Sequence, residues 1–160
     1  MNEYAPQLGT ASYRFRPGTG AVNIIEDSLD QPNGIAFSPD GKTLYLSDTA
    51  AISPEILQNY GMLGYMYFNI TSKHTVYAFD ISGFGNSISN KRPIYLSKQW
   101  IPDGLKVARN GYILTRTSGG VDILDEEGTI LATIKTNYMA VNLNWSGKNL
   151  RRCGMSELGA

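Results

Sequence analysis

The feature that most constrains this chain is a short motif that occurs twice. Pro32-Asn33-Gly34-Ile35-Ala36-Phe37 and Pro102-Asp103-Gly104-Leu105-Lys106-Val107 each set an oxygen-bearing side chain between proline and glycine, then run into an apolar strand pattern. Each is followed by a turn cluster, Ser38-Pro39-Asp40-Gly41-Lys42 in one copy and Arg109-Asn110-Gly111 in the other. A second strand follows in both, over 43–47 with Leu44 and Leu46 alternating with Tyr45, and over 112–115. A β-hairpin unit recurring along a chain calls for a repeat architecture in which copies stack on one another.

The remainder of the sequence extends that rhythm. Residues 11–16 alternate, Pro17-Gly18-Thr19-Gly20 is a turn, and 21–25 is a second strand. Strand patterns recur at 75–80, 93–96, 121–124, 129–134 and 141–145. Grouped in fours, they give a half blade over 11–25, a blade over 35–96 with a loop inserted at 51–73, a blade over 105–134 and a partial blade over 141–157. Four-stranded antiparallel meanders in series are the mark of a β-propeller, which closes with about 4 to 8 blades, and this chain carries roughly three. The expected fold is all-β: one incomplete propeller domain whose uncovered blade faces predict self-association.

Composition excludes several function classes. Fourteen Lys and Arg balance fourteen Asp and Glu with no basic run, so no stripe for nucleic-acid phosphate is present. No apolar run reaches the ~20 residues of a membrane span, and the first residues carry no basic and apolar signal pattern, so the expectation is a chain not visibly exported, cytoplasmic or with its compartment left open. One His and one Cys in 160 residues exclude a four-ligand structural zinc site within one chain.

In a propeller the first strand of each blade lines the central channel. Asn33 and Asp103 hold the same place in their blades, so their side-chain oxygens are expected to converge although they lie far apart in the chain. Amide and carboxylate oxygens are hard donors that suit Ca²⁺ or Mg²⁺. The competing reading is a pair of ordinary turns, since Asn-Gly and Asp-Gly are common turn dipeptides.

The ordered series Asn33-Gly34-Ile35-Ala36-Phe37-Ser38, Asp40-Gly41-Lys42-Thr43-Leu44-Tyr45, Thr75-Val76-Tyr77-Ala78-Phe79-Asp80, Pro102-Asp103-Gly104-Leu105 and Gly119-Gly120-Val121 resembles the regucalcin/gluconolactonase (senescence marker protein-like) family of six-bladed propellers. It is most similar to the C-terminal part of the fungal lactonohydrolase branch, over about residues 4–157. The resemblance implies a metal-dependent lactonase with a calcium-like ion at the channel mouth. Its ligands would include Asn33 and Asp103, while the family's Glu-bearing first blades have no counterpart here. The implied reaction is hydrolysis of a sugar lactone or similar small cyclic ester, with Asp103 as both ligand and general base. With those blades absent the chain reads as a fragment of impaired activity, and the alternative is a non-catalytic half-propeller or truncated gene product acting as a binding or assembly module.

Strand parity puts the 51–73 insertion on the Asn33 side, where Tyr60, Met62, Tyr65 and Tyr67 could meet a substrate or simply pack the loop. Other candidates carry less. His74 has no Gly-x-Ser-x-Gly partner and reads as a surface residue, Gly83-Phe84-Gly85 as a flexible connection, and Cys153 as a packed thiol. Asp40 reads as a turn residue, Ser47 and Asp48 as strand-end groups near the site, with Asp48 solvated. Aligning Trp145 with Phe37 and Val107 sets Asn142 one place out of the ligand position.

Overall fold

The computed structural model describes residues 8–52, 68–83, 85–98, 100–138 and 140–157. Among them are twelve strands: β1 (Ser12–Arg16), β2 (Ala21–Glu26), β3 (Pro32–Phe37), β4 (Thr43–Asp48), β5 (Thr75–Ser82), β6 (Ser87–Leu96), β7 (Leu105–Val107), β8 (Ile113–Thr117), β9 (Gly120–Leu124), β10 (Ile130–Lys135), β11 (Ala140–Ser146) and β12 (Arg152–Glu157). They form two complete four-stranded antiparallel sheets, β3-β4-β5-β6 and β7-β8-β9-β10, flanked by the hairpins β1-β2 and β11-β12. One 3-10 turn at Lys148–Leu150 interrupts the strands, after which the polar 152–157 segment pairs with β11. The chain is all-β and has the architecture of part of a β-propeller.

The sheets pack face to face because their middle strands are apolar on both sides. In β4 the period-two alternation sends Leu44 and Leu46 one way and Tyr45 the other, and all three are buried. Leu44 and Leu46 join Leu29 and Phe79, with Ile25 of β2 against them, closing the first sheet on the preceding hairpin. Tyr45 joins Ala36, Val76, Ala78 and Tyr95, which meet Leu105, Ile113 and Leu124 of the second sheet. Leu114 and Val121 then meet Leu143, with Trp145 and Met155 packed alongside. Each sheet is therefore glued to its sequence neighbours by apolar area worth roughly 25 cal/mol per Å² buried.

The turns obey local chemistry. Gly41 and Gly111, at φ +70° and +88°, close the first hairpin of each complete sheet in a conformation that a side chain disfavours. Asp40 caps its turn by accepting from Ser38 Oγ at 2.6 Å and from the Lys42 amide at 3.1 Å. Asp125 does the same between β9 and β10, its Oδ1 accepting from the amides of Thr129 at 2.7 Å and Glu127 at 3.0 Å. The Thr129 amide bond leads the effects that hold the Asp125 carboxyl below its ordinary value. A depressed folded value means a contribution to stability that is present above the unfolded pKa and lost as pH falls through the folded one. Asp125→Asn is therefore expected to lower stability at neutral pH and to flatten the acid limb of a stability-against-pH curve from urea titrations.

Candidate functional site

The two repeated motifs are not hairpin turns: neither Gly34 nor Gly104 has a positive φ, and both are buried. Their glycines are required by close approach. A Cβ on Gly34 would fall on the Asp103 carbonyl oxygen and within 2.9 Å of Ser47 Oγ. A Cβ on Gly104 would fall on Asn142 Oδ1 and within 3.1 Å of the Asn142 Cα. Each motif glycine thus seats the corresponding corner of the next sheet, so Asn33, Asp103 and Asn142 follow one another around one mouth.

Hydrogen bonds fasten these corners. Gly34 N donates to Ser47 Oγ at 2.7 Å, and that hydroxyl donates to the Asp103 carbonyl at 3.1 Å, so Ser47 ties the first sheet to the second directly beneath the site. Asp103 N donates to the Arg116 carbonyl and Arg116 N to the Gly104 carbonyl, both at 3.1 Å. The result is a cleft of about 310 Å³ lined by Asn33, Ile35, Asp103, Lys106 and Asn142, with Asn33 and Asn142 exposed and Asp103 half-buried. A larger cavity of about 570 Å³ lies at Tyr95, Asp122 and Lys135, where each oxygen of the acid already accepts a hydrogen bond. Asp122 there accepts from Tyr95 Oη and Thr133 Oγ1, both at 2.7 Å.

Sequence reasoning missed Arg116. Only 2% of its side chain is exposed, its Nη1 lies 3.5 Å from Asp103 Oδ2, and its Nε donates to the Ala140 carbonyl of β11. Its Nη2 has no acceptor among the described residues. Burial pushes the Asp103 carboxyl above its ordinary value, against the pull of the Arg116 charge and of a hydrogen bond from Asn33. Burial likewise lowers Arg116. The one available signal was an arginine in a strand otherwise made of Ile113, Leu114, Thr115 and Thr117, a place where a charge needs a partner.

Asn142 was set one place out for an identifiable reason. Its contact with Gly104 runs between sheets, which a residue count along one strand does not register. Asn142 Oδ1 accepts from the Leu143 amide at 2.8 Å and keeps a second lone pair.

Three further expectations are corrected. Asp48 is fully buried rather than solvated: it accepts from the amides of Asp30 at 2.8 Å, Gln31 at 3.0 Å and Ala50 at 3.2 Å, shaping the approach to Asn33. His74 is buried rather than at the surface, its Nδ1 2.6 Å from the Ser72 carbonyl and its ring edge-on to Phe68 at 5.1 Å. Cys153 is exposed on β12 rather than packed, since β12 has no strand on its outer side among the described residues. Tyr60, Met62, Tyr65 and Tyr67 lie outside the described residues, as does Phe84. The described base of that insertion packs Phe68 and Ala51 against Trp100 and Ile101, immediately before Pro102 and Asp103.

The donors fit a divalent cation in kind. They are a carboxylate and two side-chain amides, hard oxygens in a partly open cleft, with no thiolate or imidazole among them. Charge is scarce: no cluster of three or more His, Cys, Asp or Glu occurs among the described residues, and Arg116 already neutralises part of Asp103.

Comparison with known proteins adds to this geometry. The family model for the SMP-30/gluconolactonase/LRE-like region matches residues 1–56 and 64–155. Lactonohydrolase oryH of Aspergillus oryzae is 53% identical over 148 residues, covering 91% of this chain and 32% of the relative. A gluconolactonase of Zymomonas mobilis is 28% identical, covering 92% of this chain and 35% of the relative. The chain thus spans about a third of the length of these relatives. Among solved structures, a gluconolactonase from Xanthomonas campestris superposes with TM-score 0.75 at 27% identity, over 96% of this chain and 44% of that one. A calcium-binding regucalcin from Agrobacterium tumefaciens shares the fold at TM-score 0.67 and 18% identity, over 88% of this chain and 42% of its own.

Proposed function

The chain belongs to the SMP-30/gluconolactonase/LRE-like family, and from that premise we propose that it hydrolyses a lactone at the Asn33–Asp103–Asn142 cleft with a divalent cation, Ca²⁺ or Mg²⁺. The observation that carries the reading is the convergence of those three side chains on one cleft. Asn33 and Asp103 would hold the cation, with Asn142 beside them. A bound cation there would polarise the lactone carbonyl and stabilise the charge developing on its oxygen.

The chain's own residues have separable tasks. Asp103 accepts the proton of the attacking water, and the burial that raises its pKa brings it toward the range useful to a base. Arg116 holds Oδ2, leaving Oδ1 for the cleft. Asn33 and Asn142 contribute neutral oxygens and so do not offset the cation's charge. Ser47 fixes the Asp103 backbone. Tyr60, Tyr65 and Tyr67 remain candidates for contact with the substrate.

The test is hydrolysis of a sugar lactone by the purified chain, followed by pH-stat. Turnover is expected to vanish with a chelator and return with calcium or magnesium, with saturable thermal stabilisation by the same ion. Turnover that survives thorough chelation would sink the cation's role. One observation favours a second reading, a non-catalytic half-propeller that binds a partner: the one carboxylate among the described residues of the cleft is already paired with Arg116. No stabilisation by millimolar cation together with no turnover would overturn the enzyme reading in favour of that alternative.

A further inference from the structure

The cavity of about 570 Å³ at Tyr95 lies between the two complete sheets, with β6 on one side and Asp122 of β9 and Lys135 of β10 on the other. Both walls belong to four-stranded sheets, so neither flanking hairpin takes part in it. It sits at the end of the sheets that also carries Asp103, whose amide donates to the carbonyl of Arg116, the residue before Thr117 of the cavity lining.

Its floor is fixed by bonds within itself. Tyr95, 6% exposed, donates through Oη to Asp122 at 2.7 Å and receives a hydrogen bond from the hydroxyl of Ser97, which is 2% exposed. Thr133 Oγ1 donates to the other Asp122 oxygen at 2.7 Å. Around this floor the lining is positive. Lys98 and Lys135 are exposed, line the cavity and are ion-paired with no carboxylate among the described residues. Asp122 is the one carboxylate among the described residues of the lining, so two ammonium groups stand against one acid. The hydroxyls of Thr117 and Ser118 share that lining.

Gly119 is an independent sign that space is kept here. It lines the cavity, its φ is not positive, and a Cβ on it would meet nothing within 4 Å. Its neighbour Gly120 is glycine by necessity, at φ +134° with the Ile134 carbonyl oxygen where a Cβ would stand. Neither turn conformation nor packing makes that demand of Gly119, and the side chain it lacks leaves the rim open.

We infer that this cavity binds a polyhydroxylated organic anion of monosaccharide size, its carboxylate or phosphate held by Lys98 and Lys135 and its hydroxyls by Thr117 and Ser118. The volume falls in the range of about 300–1,000 Å³ that small-molecule sites occupy. Charge-assisted bonds from the two lysines supply affinity, and the hydroxyls supply the preference for a polyol over a bare inorganic anion. The inference goes beyond lactone hydrolysis and uses no cation and no residue of the Asn33–Asp103–Asn142 cleft.

The test is calorimetry on the full chain with gluconate, glucose 6-phosphate, inorganic phosphate and glucose as probes. At least one of the two sugar anions is expected to bind saturably, one per chain, with glucose not binding and inorganic phosphate binding more weakly; the tighter sugar anion shows whether a carboxylate or a phosphate is the anchor. Lys98→Met and Lys135→Met are each expected to weaken binding about tenfold, the worth of one charge-assisted hydrogen bond. Affinity is expected to fall as salt rises from about 20 to about 200 mM. Gly119→Leu keeps both charges and occupies the rim, so it is expected to remove binding while the urea midpoint stays in place. Asp103→Ala is expected to leave the affinity unchanged, and so is Lys42→Met, at a side chain 81% exposed in the β3-β4 turn. Binding of neither sugar anion, equal binding of glucose or of inorganic phosphate, or an equal loss in Lys42→Met overturns the inference. Binding that Asp103→Ala removes belongs to the cleft and overturns it as well, while leaving the hydrolase reading intact.

Discussion

Asp103→Ala is expected to lower kcat/KM for lactone hydrolysis by about 10²–10⁴-fold, the range lost with a general base, and to abolish calcium binding measured by calorimetry. The effect is large because Asp103 is the one carboxylate among the described residues lining the cleft. The fold should survive. The Asp103 side chain is 17% exposed, and the backbone bonds that fasten the corner, from Asp103 N to Arg116 and from Ser47 to the Asp103 carbonyl, do not use the carboxylate. Asp103→Asn separates the two roles, since an amide keeps an oxygen but loses the charge and the basic site. If the asparagine variant turned over at the parent rate, the assignment of the base would be wrong.

Arg116→Met is expected to destabilise the chain by about 3 kcal/mol, at the lower end of what breaking a buried ion pair costs. Two losses combine. Asp103 is left as an uncompensated, half-buried charge, and the Ala140 carbonyl loses the donor that ties β8 to β11. A double-mutant cycle divides them: adding Asp103→Asn should recover the first part and leave the second. The pH dependence has a definite sign. With Arg116 gone, burial acts unopposed by its charge and the Asp103 carboxyl rises further. A raised folded value gives stability that is present below the unfolded pKa and lost as pH climbs through the folded one, so the defect should shrink in acid and be full at neutral pH. Urea titrations at several pH values check this, and a defect independent of pH would show that Asp103 is not the group left exposed to the loss.

The candidate corner was legible because it repeats. Pro-Asn-Gly and Pro-Asp-Gly stand at the mouths of equivalent strands, and equivalence in a repeat places two distant residues at one end of one axis. What could not be read was the reason for the glycines. Turn chemistry explains Gly41 and Gly111, whereas Gly34 and Gly104 are small because a neighbouring sheet rests on them. Asn142 escaped for a related reason: its place against Gly104 is a contact between sheets, which no count along one strand contains.

Local pattern, then, was enough to specify strands, turns and their grouping into four-stranded sheets, because alternation and turn chemistry act over a few residues. The sequence alone also put an amide and a carboxylate oxygen at matching corners. Only the tertiary structure decided that Asp48 and His74 are inside, that Cys153 is outside and that Arg116 lies behind Asp103. Those outcomes depend on which sheet packs against which, and a buried polar side chain is tolerable only where that packing brings it a partner, as the Asp30 and Gln31 amides do for Asp48.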